Sequence, residues 1–153
     1  MKTVLRAGKG ANWVEASGRI LYSAAALSFA AEAIHLWVTP DHYLEWLGYG
    51  IFLLAAAVFQ GFLGAALLFR PRRWVFLLGA IGNLAVVLLW AYTRAVAVPL
   101  GPMAGEAEPL GVLDFACTSA EVVLVILLAA LWWRCRKAAP GLRRTRGSEP
   151  SKV

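Results

Sequence analysis

A stripe of polar side chains follows one face of the first long apolar stretch of the chain. Ser28, Glu32, His35 and Thr39 are spaced four, three and four residues apart within residues 20–38. Side chains at this spacing share one face of an α-helix. An ionisable group at membrane depth costs roughly 2.5–3.5 kcal/mol even on the insertion scale, so the stripe indicates that these groups have a partner or a function.

Each of three further apolar stretches also carries one polar line. The members are Tyr49 and Gln60 on the second stretch, Asn83, Trp90 and Arg94 on the third, and Asp114, Cys117, Thr118 and Glu121 on the fourth. Because lipid offers no hydrogen bonds, we expect all four lines to turn inwards and to meet. By helical rise, Glu32 and Glu121 lie about 9 Å and 13 Å below the outer ends of their stretches. The sequence therefore predicts a polar pocket in the outer half of the membrane.

The composition of the chain is far more apolar than that of a soluble domain. The chain has 153 residues, of which 60% are hydrophobic and only 16% are charged, and its mean hydropathy is +0.65. Its apolar residues concentrate in four blocks, 20–38, 47–69, 74–93 and 112–133. Each block falls within the roughly 17–25 residues that cross a bilayer as a helix. These features exclude a soluble domain and predict an all-α, antiparallel four-helix transmembrane bundle.

The distribution of charge predicts the topology. Of the 15 Lys and Arg residues, all but Arg94 lie before the first block, in the second connection or after the fourth block. The other two connections carry acidic residues instead, namely Asp41, Glu45, Glu106 and Glu108. By the positive-inside rule, both termini are cytoplasmic in a multi-pass protein of the cell (plasma or inner) membrane. The net charge of +6 is then a topological signal, so we do not expect nucleic acid as a partner.

The chain divides into three parts. Residues 1–19 are predicted to form a cytoplasmic segment, 20–137 the transmembrane domain, and 138–153 a disordered basic cytoplasmic tail. Thr39, Pro40 and Asp41 suit an N-cap, a first helical position and a first-turn acid. They predict a short outer interfacial helix that ends near Leu47.

The candidate site contains more acid than base. Its main members are Glu32, His35, Arg94, Asp114 and Glu121, and its secondary candidates are Ser28, Gln60, Asn83, Trp90, Thr118, His42 and Glu45. Three carboxylates, Glu32, Asp114 and Glu121, face the single cation Arg94, and one Arg–carboxylate pair is expected to form the structural core of the site. The remaining acids must be protonated, paired with His35, or neutralised by a bound cation.

Several functions fit these residues. The leading interpretation is that the pocket binds a small ligand or ion from the outer side of the lipid bilayer. Glu32 and His35, at the i, i+3 spacing of helical metal sites, could instead hold a single Zn, Fe or Mn ion together with Glu121. An acid/base enzyme could use His35 with Glu32 orienting it. Haem is disfavoured, because its only candidate axial ligands, His35 and His42, lie on adjoining segments.

A structural role is the remaining alternative. The polar cluster could only fix the register of the helices, in a non-catalytic accessory or scaffold subunit of a homo-oligomer or of a larger membrane complex. Under this alternative the site binds nothing.

The sequence also resembles a known kind of protein. The run AIHLWVTPDHYLEWLGYG over residues 33–50, together with the outer GPMAGEAEP segment over 101–109, resembles small four-span bacterial membrane proteins of uncharacterised function. The resemblance covers most of the chain and implies the four-span architecture. It implies no activity and no ligand.

Overall fold

Four helices and their connections make up the described part of the chain. The structure, a computed structural model, describes residues 2–96, 101, 104–107 and 110–144, with side chains over 17–96, 101, 104–107 and 110–137. Within these residues it contains α1 (Lys2–Glu45), α2 (Leu47–Phe69), α3 (Arg73–Ala95) and α4 (Val112–Arg144), and no strand. All four helices are long and apolar enough to span a membrane. The predicted all-α four-helix architecture is confirmed.

Short connections make consecutive helices antiparallel. Trp46 alone separates α1 from α2, with extended φ and ψ of −162° and 131°. The tight turn depends on Gly50, because a side chain there would overlap the ring of Tyr43. The ring centroids of Trp46 and Tyr49 lie 5.1 Å apart in an edge-to-face arrangement that closes the turn. Residues 70–72 join α2 to α3.

The expected interfacial segment is helical, but it continues α1 instead of forming a separate helix. Pro40 lies inside α1, where its missing N–H disturbs the hydrogen bonds of the surrounding turn. Two neighbouring side chains donate to carbonyls of this turn: Thr39 Oγ1 to His35 O at 2.6 Å, and His42 Nδ1 to Val38 O at 2.8 Å. Both bonds add side-chain hydrogen bonding to the turn around the proline.

The chain ends also differ from expectation. Helix α1 begins at Lys2, so the segment predicted to precede the first span is continuous with it. Helix α4 continues to Arg144, so residues 138–144 are helical and not disordered. Residues 145–153, the rest of the predicted tail, lie outside the described residues.

The half of the bundle nearer the α2–α3 connection is an apolar core, and by the topology predicted above we call it the inner half and the opposite half the outer one. Its buried members are Ala24, Ala25, Leu63, Leu67, Val75, Phe76, Leu124, Leu128 and Leu131. Helix α1 packs along α2 and α4, and α3 packs along α4, whereas α2 and α3 meet over a short stretch. That stretch depends on small residues, because Leu63 packs against Gly79 and Phe59 against Gly82. Closer to the outer end, side chains of α2 and α3 line a cavity.

Gly79 provides a test of this packing. A side chain at this position would meet Leu63 of α2 at 2.7 Å and Leu128 of α4 at 2.9 Å, so Gly79→Leu forces two helices away from α3. We expect overpacking to lower the free energy of unfolding by about 1–3 kcal/mol, measured by denaturant titration in detergent. Gly18→Leu is the control, since nothing lies within 4 Å of that position. Equal stability of the two variants would contradict the packing described.

Candidate functional site

A cavity opens between the outer parts of all four helices. Its volume is about 700 Å³. Its apolar and aromatic walls are formed by Ile34, Val38, Trp46, Gly48, Tyr49, Phe52, Leu53, Val86, Leu89 and Trp90. Its polar lining consists of His35, His42, Glu45, Thr93, Arg94, Asp114, Cys117, Thr118 and Glu121. The predicted convergence of polar lines thus coincides with a real space in the structure.

A buried hydrogen-bond network at the deep end of the cavity links the four helices. Its centre is Gln60 of α2, whose side-chain amide Nε2 lies 2.7 Å from Asn83 Oδ1 on α3 and 3.3 Å from Glu121 Oε1 on α4. Ser28 of α1 lies within donating distance of both Gln60 O and Gln60 Oε1, at 2.7 and 2.9 Å. Asn83 Nδ2 donates to Gly79 O of its own helix at 2.8 Å. Every helix therefore contributes one side chain to a single network.

The network continues into an ionisable cluster. Glu121 Oε1, which accepts from Gln60, also lies 3.0 Å from His35 Nε2 on α1. Cys117 Sγ lies 3.6 Å from the same imidazole nitrogen. The three side chains are buried, and Glu121 is only 1% exposed. A carboxyl group so far from solvent needs hydrogen-bond partners, which His35 and Gln60 provide here.

An ion pair lies nearer the outer end. Arg94 donates to Asp114 Oδ2 at 2.6 Å and to Thr93 Oγ1 at 2.8 Å. Its guanidinium also lies 5.1 Å from the ring centroid of Trp90. Asp114 precedes Glu121 by two helical turns, so the pair and the cluster are separated by about 10 Å along α4. The expected Arg–carboxylate pair exists, and its acid is Asp114.

The candidate residues fall into three groups. Those that line the cavity are His35, Arg94, Asp114 and Glu121 of the main set and Trp90, Thr118, His42 and Glu45 of the secondary set. Ser28, Gln60 and Asn83 form the network at its deep end. Glu32 belongs to neither group, since it packs against Gly61 at the α1–α2 interface.

Helix geometry explains the position of Glu32. Residues three apart differ by about 60° around a helix axis, so one of them can face α2 while the other faces α4. Glu32 takes the first direction and His35 the second. The i, i+3 pair therefore does not converge on one point, and Cys117 occupies the position beside His35 that the sequence suggested for Glu32.

Cys117 lies on the fourth polar line, but it was not included among the candidate site residues predicted from the sequence. A pattern did indicate it, because Cys117 and Glu121 are four residues apart on one helical face. Only the packing of α1 against α4 shows that His35 completes a trio with them. Tyr49 of the second polar line also lines the cavity, as does Trp46, which was not among the candidates.

Together these features define a polytopic helical membrane protein with a buried polar centre. Comparisons with protein-family models, with curated proteins and with solved structures find no match for the chain. Its own residues must therefore indicate its function.

Two serines allow the buried network to be tested. Ser28 bonds across helices to Gln60, whereas exposed Ser119 donates to Phe115 O of its own helix. Ser28→Ala leaves buried acceptors on Gln60 without their donor, and we expect a loss of about 0.5–1.5 kcal/mol in the free energy of unfolding. The measurement is unfolding by a denaturing detergent. Ser119→Ala should cost much less, and similar costs for both variants would refute the network's structural role.

Proposed function

We propose that this protein binds a small amphipathic molecule in the cavity between its four helices. The observation that carries the proposal is the cavity itself, about 700 Å³ in volume and lined by side chains from every helix. Small-molecule sites in proteins occupy about 300–1,000 Å³ and combine apolar walls with a few polar groups. This cavity has both features.

The lining suggests how such a molecule lies. Phe52 and Leu53 of α2 face Val86 and Leu89 of α3 across the part of the cavity where these two helices do not touch. An apolar body between them would replace missing side-chain contacts. A polar group on the same molecule would then reach the ionisable side chains of α1 and α4.

Trp90 indicates that the bound molecule carries a hydrogen-bond acceptor. It lines the cavity, and its indole Nε1–H is shielded from solvent without an acceptor among the described residues. A buried donor without an acceptor costs about 1–3 kcal/mol, which a ligand that carries an acceptor would recover. The proposed molecule therefore carries a hydrogen-bond acceptor, such as a carbonyl, ether or carboxylate oxygen.

The apolar inner half of the bundle favours a binding role over transport across the membrane. Leu67, Leu124 and Leu128 are fully buried beneath the polar network, and among the described residues no buried polar side chain lies below the members of that network. An ion or polar solute would meet a seal of hydrocarbon there. The proposal therefore concerns a site reached from the outer side of the cell membrane, with both termini cytoplasmic as the positive-inside rule predicts.

Filling the cavity should abolish binding. Leu53 lines the cavity, whereas the next residue, Leu54, faces away from it and is 40% exposed. Native mass spectrometry of protein extracted gently from its own membranes should detect a retained small molecule on the wild type and on Leu54→Trp. We expect Leu53→Trp to retain at least about 10-fold less, a loss of about 1.4 kcal/mol in binding free energy.

This design also separates binding from an accessory or scaffold role. An accessory subunit does not need a molecule in the cavity. In that case the wild type, Leu53→Trp and Leu54→Trp would all lack a retained molecule and would still co-purify with partner subunits. A molecule that stays on Leu53→Trp as well as on the wild type lies outside the cavity. Either result would overturn the proposal.

The orientation of the protein in the membrane can be tested by labelling cysteines at opposite ends of the bundle. In a Cys117→Ala background, Cys135 is exposed near the end of α4 that we place in the cytoplasm. A membrane-impermeant maleimide should label it in inside-out vesicles and not in intact cells. Glu106→Cys, in a chain from which both native cysteines have been removed, should show the opposite labelling pattern, since Glu106 lies in the exposed α3–α4 connection. Reversed labelling would invert the topology and place the cavity on the cytoplasmic side.

A further inference from the structure

Three potential metal ligands converge on one wall of the cavity. His35 Nε2 lies 3.0 Å from Glu121 Oε1 and 3.6 Å from Cys117 Sγ, and one ligand atom from each residue lies within 4.8 Å of the other two. All three residues are buried, at 6%, 4% and 1% exposure for His35, Cys117 and Glu121. They come from two helices that pack against each other, so the bundle itself holds the trio together.

These separations are close to those of ligands around a tetrahedral zinc ion. With Zn–S of about 2.3 Å and Zn–N or Zn–O of about 2.0–2.1 Å, tetrahedral geometry places a sulfur about 3.6 Å from a nitrogen and a nitrogen about 3.3 Å from an oxygen. The Cys117–His35 separation already has the first value, and the His35–Glu121 separation is slightly shorter than the second. The third separation, from Cys117 to Glu121, lies within 4.8 Å, and a sulfur and an oxygen on the same ion would be about 3.6 Å apart.

Charge provides a second, independent argument. A thiolate and a carboxylate carry two negative charges and a neutral imidazole carries none, so this ligand set neutralises a divalent ion completely. An uncompensated charge is very costly in a low-dielectric interior, whereas a neutral metal–ligand assembly is not. Arg94, the cation that also lines the cavity, is engaged by Asp114 instead. The trio therefore keeps its capacity for an added positive ion.

The surroundings of the trio also resemble those of a metal centre. Gln60 Nε2 lies 3.3 Å from Glu121 Oε1, as a hydrogen-bond donor that orients a ligating carboxylate would. Each of the three residues lines the cavity, so a bound ion would have a coordination position directed into that space. Sites with three protein ligands and one open position are typical of zinc that binds or activates a further molecule.

We propose that His35, Cys117 and Glu121 bind a single divalent transition-metal ion of the zinc type, with its fourth coordination position facing the cavity. The mixed N, S and O ligands favour such borderline ions over magnesium or calcium, which prefer oxygen alone. Binding releases the thiol proton of Cys117, because the thiolate is the ligand. The site needs only these three side chains, so it stands independently of the amphipathic molecule proposed above.

Cobalt(II) is the probe, because its absorption reports thiolate coordination directly. The full chain is purified in detergent, treated with a chelator, and titrated with Co²⁺. We expect saturation at one equivalent, a thiolate-to-cobalt charge-transfer band in the near ultraviolet, and visible bands with the intensity of four-coordinate cobalt. Addition of Zn²⁺ should remove these bands by displacing the cobalt.

The two cysteines supply a matched control. Cys117→Ala should lose the charge-transfer band and weaken cobalt binding by more than about 100-fold, beyond the 10–100-fold effect of residues that only support a ligand. Cys135→Ala, on the exposed inner end of the same helix, should keep the wild-type spectrum. His35→Gln and Glu121→Gln, which preserve hydrogen-bonding capacity, should each weaken binding without removing the sulfur-based band at saturation.

Several results would overturn the metal site. These are a wild type that binds no stoichiometric cobalt, a charge-transfer band that disappears with Cys135→Ala, and a band that survives Cys117→Ala. Circular dichroism and gel filtration of each variant establish that the bundle is intact, and Cys117→Ser serves if the alanine variant does not fold. Retention of an organic molecule by a wild type that binds no cobalt would leave the cavity proposal standing and reject only the metal.

Discussion

One buried amide sets the arrangement of this bundle. Gln60 has fully buried donors and acceptors in a region where lipid supplies no alternative partner, so the helices must bring partners to it. The other three helices provide these partners, namely Ser28, Asn83 and Glu121. Bonds to this one side chain therefore fix how each helix is rotated and at what depth it lies. Interhelical hydrogen bonds in membranes contribute only about 0.6 kcal/mol on average, so the network selects an arrangement more than it adds stability.

From that point the bundle has two different halves. Beneath Gln60, apolar side chains and small residues pack closely, with Gly79 accepting Leu63 and Leu128 on its two sides. Above it, α2 and α3 separate, and the space between them is lined by ionisable groups in matched arrangements: Arg94 with Asp114, and His35 with Glu121. An isolated charge is very costly in a low dielectric, and each of these four ionisable groups lies beside a partner.

Much of this architecture follows from the sequence. Long apolar stretches predict the spans because only helices satisfy their own backbone in lipid, and the polar lines predict which face of each helix turns inwards. The ends of the elements follow less well. Pro40 indicates a helix start locally, yet α1 continues through it, and Thr39 and His42 add side-chain hydrogen bonds to carbonyls of that turn. Propensity rules cannot anticipate side-chain bonds of this kind.

The sequence by itself determined four membrane-spanning helices, a polar face on each, and a polar site in one half of the bundle. Only the tertiary structure decided which side chains meet there. Periodicity relates residues along one helix, but the rotation of a helix against its neighbours depends on close packing across interfaces. Gly61 admits Glu32 at the α1–α2 interface, and this same rotation of α1 directs His35 to Cys117 and Glu121 of α4.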